Sequence, residues 1–301
     1  MSYKNRNSNP PREGTLNYKV KESTELLPFL LQQMESRSRN SVKSILTRGQ
    51  VKVDDHIETK HNYPLRSGQV VSVLKNKIAV KESTLIGMEI LFEDNSIIVI
   101  QKDAGLLSIA TETEKKNTAL HQLMDYVRRK DPRNRVFVVH RLDKETSGVM
   151  MFAKSEKVKR ILQDNWKELV QERTYVALVE GELKQPEGTI KSWLKESKTH
   201  QMYSVQDRGG QLAITHFRKT NSNKNYSLVE VNLETGRKNQ IRVHMSDIGH
   251  PVVGDKKYGA KTNELGRLGL HAKVLKFKHP VTDQLMLFQS DVPKQFLVKS
   301  R

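Results

Sequence analysis

Three short stretches of the sequence hold residues whose types and spacing could do chemistry. In His140-Arg141-Leu142-Asp143-Lys144-Glu145-Thr146-Ser147-Gly148 a carboxylate, Asp143, stands among cations and turn formers. Apolar runs flank it, Val136-Phe137-Val138-Val139 before and Val149-Met150-Met151-Phe152-Ala153 after. Each run has the length and apolar or β-branched content of a buried strand. The loop is therefore expected to be held by rigid backbone at both ends, as a catalytic group requires. The plain alternative is a hairpin connection whose Asp faces water. The second stretch, Arg173-Thr174-Tyr175-Val176-Ala177-Leu178-Val179-Glu180-Gly181, puts a phenol near the start of an apolar strand, two residues after a cation. A Tyr in a strand is more often packing than chemistry. In the third, Thr235-Gly236-Arg237-Lys238-Asn239-Gln240-Ile241-Arg242-Val243-His244-Met245, a glycine loop opens a helix with a buried stripe of Ile241, Met245 and Ile248. Arg242 lies beside that stripe, so its guanidinium could be held and turned towards a partly buried anion. An exposed helical Arg is the alternative.

Composition narrows what such groups can do. The 301 residues contain 52 Lys and Arg against 34 Asp and Glu, a net charge of +18. An excess of this size favours polyanionic partners, either nucleic acid or an anionic membrane surface. No apolar run approaches the roughly 20 residues that span a bilayer. Residues 1–12 are polar and include Pro10-Pro11, so no secretory signal is expected there and a cytoplasmic location is. Nucleic acid is then the leading partner. The absence of cysteine removes disulfides, thiolate nucleophiles, zinc ribbons and iron–sulfur clusters. The ten histidines form no His-Glu-x-x-His pattern, and no phosphate-cradling Gly-x-x-x-x-Gly-Lys loop is present. Neither metal nor cofactor is expected, which leaves Asp, Glu, His, Tyr, Lys and Arg to carry any catalysis.

The elements that must position these groups read as an α+β chain of at least two domains. Residues 1–17 are expected to form a flexible polar arm. Leu26, Leu27, Leu30 and Met34 recur at helical spacing, with Pro28 near the first turn, where a missing N–H costs least. A second helix carries Val42, Ile45 and Leu46 and should stop at Gly49. On it Arg39 and Lys43 are one turn apart and share a face, flanked by Arg37 and Arg48. Strands are expected at 51–53 and 70–74, and a linker at about 75–84. Beyond it, 89–100 reads as a hairpin turning at Asp94-Asn95, and further strands fall near 174–179, 213–218 and 226–233. Helices are expected near 119–129, 158–169 and 239–248, and 288–301 as a last strand with a short basic tail. Strand runs interrupted by helices, without regular βαβ alternation, suggest a mainly antiparallel sheet.

The helix–helix–strand order, with Ser38-Arg39-Asn40-Ser41-Val42-Lys43-Ser44-Ile45-Leu46-Thr47-Arg48-Gly49-Gln50-Val51-Lys52-Val53, resembles the S4-like RNA-binding module. The module's usual Asn-Gly turn is Asp54-Asp55 here, and its later Gly-Asp is Gly68-Gln69. Neither departure touches the basic helix face. Residues 18–80 are accordingly expected to bind RNA, with Arg39 and Lys43 on phosphates, so that affinity is salt-sensitive. A small α/β domain with a solvated basic face is the alternative.

Together and in this order, the three stretches resemble the pseudouridine synthases of the RluA/RluD type. Gly254-Asp255 with Tyr258-Gly259, Leu270-His271-Ala272 and His279-Pro280 extend the match from about residue 85 to the end of the chain. The resemblance implies a catalytic domain over 81–301 on a mainly antiparallel mixed sheet with flanking helices. It makes Asp143 the family's essential carboxylate, Tyr175 its active-site tyrosine and Arg242 the arginine that pairs with the Asp. It makes Arg141 the arginine that helps displace the target base from its stack, with Ile241 and Leu270 lining or supporting the pocket. The implied reaction breaks the N1 glycosidic bond of a uridine and rejoins the base through C5. The product is an isomer, so no energy source, redox cofactor or metal is required. An Asp suits the nucleophile's role because, with a reference pKa of about 3.9, it is ionised without a base. Attack on the sugar, attack on the base and elimination all remain open. The expected substrate is structured RNA, large-subunit (23S) ribosomal RNA ahead of transfer RNA, and the expected state a monomer. A non-catalytic RNA-binding or ribosome-assembly protein is one rival. A glycosidase is another, although it would want a second carboxylate where Arg242 stands.

Overall fold

A computed structural model describes residues 15–35, 37–47, 50–74, 85–206 and 209–301. The chain divides into two compact units, Met1–Thr84 and Leu85–Arg301. The expected linker at 75–84, and with it the boundary at 80/81, lies outside the described residues, as do Arg48 and the helix stop at Gly49.

The first unit follows its hydrophobic spacing. Strands β1 (Thr15–Lys19) and β2 (Thr24–Glu25) precede helices α1 (Leu26–Gln33) and α2 (Arg39–Thr47). Strands β3 (Val51–Val53), β4 (His56–Ile57), β5 (Pro64–Leu65) and β6 (Val70–Leu74) follow, and one sheet runs β1-β6-β3-β4. Leu26, Leu30, Val42 and Leu46 of the helices close over Val51, Val53, Val71 and Val73 of the sheet. Asp54 and Asp55 both take positive φ in the turn between β3 and β4. The Asp54 carboxylate accepts hydrogen bonds from the Val70 N–H (2.9 Å) and the Gln69 side chain (2.8 Å). That network takes the place of the usual Asn-Gly turn. Residues 15–17 pair with β6, so they belong to this sheet and not to the expected arm. Residues 1–14 lie outside the described residues.

The second unit is built on an eleven-stranded sheet. Its strands are β7 (Met88–Glu93), β8 (Ile97–Lys102), β9 (Phe137–Val138), β10 (Ser147–Ala153), β11 (Val170–Glu180) and β12 (Glu187–Glu196). Strands β13 (Met202–Val205), β14 (Gln211–Ser222), β15 (Tyr226–Leu233), β16 (Leu270–Lys278) and β17 (Leu285–Gln289) complete it. The order is β13-β12-β14-β15-β11-β16-β10-β8-β7, with β9 added to β10 and β17 to β16. Pairing is antiparallel except for the short parallel register of Ser147 and Gly148 with His271 and Ala272. The fold is therefore the α+β, mainly antiparallel mixed sheet that the residues suggest.

Alternation sorts the central side chains onto two faces. Ile98, Ile100, Met150 and Phe152 meet Ala119, Leu123 and Val127 of helix α3 (Ala119–Arg128). Ile97, Val99, Val149 and Met151 meet Val158 and Leu162 of helix α4 (Glu156–Asp164). Thr118 and Ser155 cap these helices by accepting from the His121 and Val158 N–H groups. The helix expected across 158–169 breaks at Asn165 into α4 and the short α5 (Trp166–Leu169). Helix α6 (Gln240–Asp247) buries Ile241 and Met245 against Ala177, Val179, Val229, Val231 and Leu270. The strand expected at 136–139 shrinks to Phe137–Val138, because only these residues find a partner in β10. The expected basic tail is instead helix α7 (Lys294–Lys299), anchored by Phe296, which is fully buried. No helix among the described residues is long and apolar enough to cross a membrane.

Gly148 shows how tightly β10 fits beside β16. Its φ is +116°, and a Cβ there would lie 2.1 Å from the Ala272 carbonyl oxygen. Both the conformation and the contact exclude a side chain. Gly148→Ala is expected to cost about 3 kcal/mol or more in urea unfolding, far above an average substitution. A loss under about 1 kcal/mol, the average for a substitution, would mean that the two strands are not so closely apposed.

Candidate active site

The Asp143 loop leaves β9, crosses the ends of the central strands and enters β10, and buried groups tether it on both sides. Leu142 is buried, its N–H donating to Ser108 Oγ (3.2 Å) while that hydroxyl donates to the Leu142 carbonyl (2.6 Å). The Met151 N–H donates to His140 Nε2 (3.1 Å), so that nitrogen keeps its lone pair. Burial pushes His140 down to about 3, which keeps the ring neutral in this role. Lys102, fully buried, donates to the carbonyls of Asp103 (2.9 Å), Leu106 (2.7 Å) and Lys144 (3.1 Å). Burial lowers its ammonium to about 8. Arg267 donates to Ser147 Oγ (2.7 Å), whose oxygen also lies 2.8 Å from His271 Nδ1. The residues after Asp143 are thus fixed from below by two cations, and the carboxylate projects from a rigid loop.

Helix α6 supplies the partner. Arg242 Nη1 donates to Asp143 Oδ2 at 3.1 Å, while its Nε and Nη2 make a bidentate pair with Asp255 at 2.6 and 2.8 Å. The Asp255 side chain is 1% exposed, that of Arg242 15%, and that of Asp143 38%. The guanidinium also lies 4.9 Å from the centre of the Tyr258 ring. Burial alone would pull Arg242 down, but the hydrogen bonds and charge of Asp255, with those of Asp143, outweigh it and raise its pKa. The result is a permanent cation with one donor aimed at a carboxylate that solvent can still reach. Gln240 and His244 hold α6 from behind. Gln240 donates to the Ile214 carbonyl and to Thr215 Oγ1, both at 2.9 Å, and His244 bridges Thr215 and Ser192.

Asp143 and Tyr175 line one cleft of about 900 Å³, together with His140, Arg141, Trp166, Arg173 and the turn 233–239. An adjoining recess of about 80 Å³ is again shared by Asp143 and Tyr175, with Leu142, Thr146, Gln240 and Ile241 around them. Burial raises the pKa of the Tyr175 hydroxyl, and the Asp143 charge adds to the rise. Tyr175 therefore offers the recess a flat face and an O–H donor.

The structure places the residues named from the sequence as follows. Asp143, Tyr175 and Arg242 converge. Arg141 stands exposed at the cleft rim, two residues from Asp143. Ile241 lines the recess, whereas Leu270 lies beneath it in the core. Arg39, exposed, and Lys43, half-buried, are on α2 of the first unit. Sequence reasoning missed Asp255 as the main partner of Arg242, although Gly254-Asp255 is part of the matching pattern. It also missed Lys102 and Trp166, which carry no distinguishing neighbours. Among the described residues no group of three or more His, Asp or Glu could hold a metal ion.

Comparison with known proteins bears on this arrangement. Residues 96–247 match the profile of the family described as RNA pseudouridylate synthase. An uncharacterized RNA pseudouridine synthase of Bacillus subtilis (strain 168), YhcT, is 33% identical over 277 residues, 91% of each chain. The ribosomal large subunit pseudouridine synthase D of Vibrio vulnificus (strain CMCP6) is 30% identical over 272 residues, 85% of this chain and 83% of that one. Among solved structures, human RNA Pseudouridylate Synthase Domain Containing 4 superposes with a TM-score of 0.57 at 24% identity. The match covers 70% of this chain and 90% of that one, and shows a shared fold.

Proposed function

The chain belongs to the RNA pseudouridylate synthase family, and on that premise we propose that it converts uridines of large-subunit (23S) ribosomal RNA to pseudouridine with Asp143 as nucleophile. The observation that carries the assignment of Asp143 is its bond to Arg242. A guanidinium gripped by buried Asp255 through Nε and Nη2, and by the Asn239 side-chain oxygen at Nη1, is locked in place, and Nη1 holds the Asp143 carboxylate in its orientation. The carboxylate opens onto a recess also lined by Tyr175, suited to a single extruded base. The reaction breaks the N1–C1′ bond, rotates the uracil within the recess and joins C5 to C1′; C5 then gives up its proton and N1 ends protonated, so the product is an isomer. Tyr175 stacks on the uracil and keeps it from leaving while it turns. Arg141 at the rim fills the space vacated by the extruded nucleotide and offsets part of the few kcal/mol that unstacking costs.

Ribosomal RNA is favoured over transfer RNA by the similarity to the Vibrio large-subunit enzyme along most of both chains. The basic α2 face of the first unit, read as an S4-like RNA-binding domain over 18–80, supports the same choice. Tritium release from C5-tritiated 23S transcript tests the reaction, and mapping pseudouridines in total RNA of a deletion strain and its parent identifies the target. Loss of a transfer RNA pseudouridine alone would overturn the ribosomal assignment. A transcript fully retaining its tritium would overturn the reaction on this RNA.

The two units should be separable in kinetics. Arg39→Ala with Lys43→Ala is expected to weaken RNA binding about 10-fold at moderate salt and to flatten its salt dependence. Single-turnover tritium release at saturating enzyme should stay within about 3-fold of wild type, since neither residue belongs to the cleft. Unchanged affinity across KCl concentrations would remove the first unit from RNA recognition.

A further inference from the structure

Of the Lys and Arg residues lining the cleft Arg173 alone is not exposed, and it has no part in the steps just described. Arg173 lies on β11 two residues before Tyr175, so the two side chains leave the same face of the sheet about 7 Å apart. Its Nη2 donates to the Leu233 carbonyl at 3.0 Å, and its guanidinium lies 5.8 Å from the centre of the Trp166 ring. A Cβ at Gly236 would fall 2.7 Å from Nη1, so the guanidinium packs directly against the Gly236 backbone. Among the described residues no carboxylate pairs with it. Arg242, by contrast, has two, and Lys238 across the cleft is bound to Glu196 at 2.5 Å. Burial lowers the Arg173 pKa with only the Tyr175 hydroxyl working against it. A desolvated cation without an anion is costly in the free protein. Its cost is offset when an anion enters.

We propose that Arg173 is the receptor for an RNA phosphodiester next to the extruded uridine. Trp166 and Gly236 pack against the guanidinium, and Leu233 takes up one of its five donors, leaving others for two phosphate oxygens. The offset from Tyr175 matches the reach from a stacked base to the backbone of its own nucleotide. Arg173 then holds the backbone of the bound nucleotide and contributes to RNA binding, while the glycosidic step is left to Asp143. This inference rests on the cleft being the site of pseudouridine formation.

The test uses the full-length protein with a 23S ribosomal RNA transcript, measuring binding on filters and tritium release across KCl concentrations. Arg173→Met is expected to raise KM and Kd at least about 10-fold, to leave kcat within about 3-fold, and to reduce the slope of log affinity against log salt by about one. Arg173→Lys should restore most of the slope, because a point charge still binds phosphate. Should Arg173→Met not fold, Arg173→Gln removes the charge while keeping a polar side chain at the cleft, and gives the same reading. A fall in kcat with slope and KM unchanged would overturn the proposal in favour of a role at the uracil, and no change in any of them would overturn it outright. A wild-type protein that binds the transcript with an Arg173-dependent slope but releases no tritium would refute the assigned reaction and not the phosphate contact.

Discussion

Asp143→Asn is expected to abolish tritium release, by about 10⁴-fold or more in single-turnover measurements, while leaving fold and RNA affinity nearly intact. The carboxamide has the shape of the carboxylate and still accepts a hydrogen bond from Arg242 Nη1. What it lacks is the charge and the nucleophilic oxygen. Stability should change by less than about 1 kcal/mol, because the Asp143 side chain is more than one-third exposed and such ion pairs contribute little. Arg242 is not orphaned by the change, since its bidentate pair with Asp255 persists. Loss of activity could then not be ascribed to unfolding. An Asp143→Asn protein that still forms pseudouridine at the parental rate would sink the assignment of the nucleophile, with the family membership untouched.

How much of this was legible in the sequence depended on how local each signal was. Asp143, Tyr175 and Arg242 were each ambiguous in its own run, and only their order along the chain, as the family resemblance reads it, set them together; the structure pairs Asp143 with Arg242 and puts Tyr175 on the same recess. The unbroken apolar runs Ile97 to Ile100 and Val149 to Phe152 pointed to strands, and in the structure both of their faces are covered. Asp255 was not legible as a partner. Its burial follows from packing between the α6 segment and a distant turn, and nothing beside it in sequence distinguishes a buried Asp from a solvated one. Lys102 closes an apolar strand where a Lys would ordinarily reach solvent, and only the fold brings three carbonyls around it. The break at Asn165 was hidden because the apolar spacing of Val158, Leu162 and Leu169 continues across it, yet that break brings Trp166 into the cleft. The α7 helix escaped for a simpler reason. Its apolar residues, Phe296, Leu297 and Val298, are consecutive and show no helical period, and only the fold buries Phe296 alone.

Arg242 invites a second large effect, in which activity and stability can be pulled apart. Arg242→Met should lower turnover by about 10³-fold, since Asp143 loses the donor that aims it and the positive charge beside it. It should also destabilise the protein by about 3–5 kcal/mol, because the Asp255 carboxylate, 1% exposed, is left as a buried charge without its bidentate partner. Asp255 could instead be the residue that matters for chemistry, and the single variant would not distinguish the cases. The double variant Arg242→Met with Asp255→Asn does. Removing the orphaned charge should return most of the lost stability in urea unfolding, since a neutral amide costs far less to bury. Turnover should stay at the level of Arg242→Met, because nothing in the double variant points at Asp143. Asp255→Asn alone should fall between, keeping the cation but loosening its aim, with kcat reduced more than KM is raised. If the double variant recovered activity along with stability, Arg242 would be a structural clamp and not the group that positions the nucleophile. Asp255 and Arg242 would then only fix the helix, and Asp143 would act unaided.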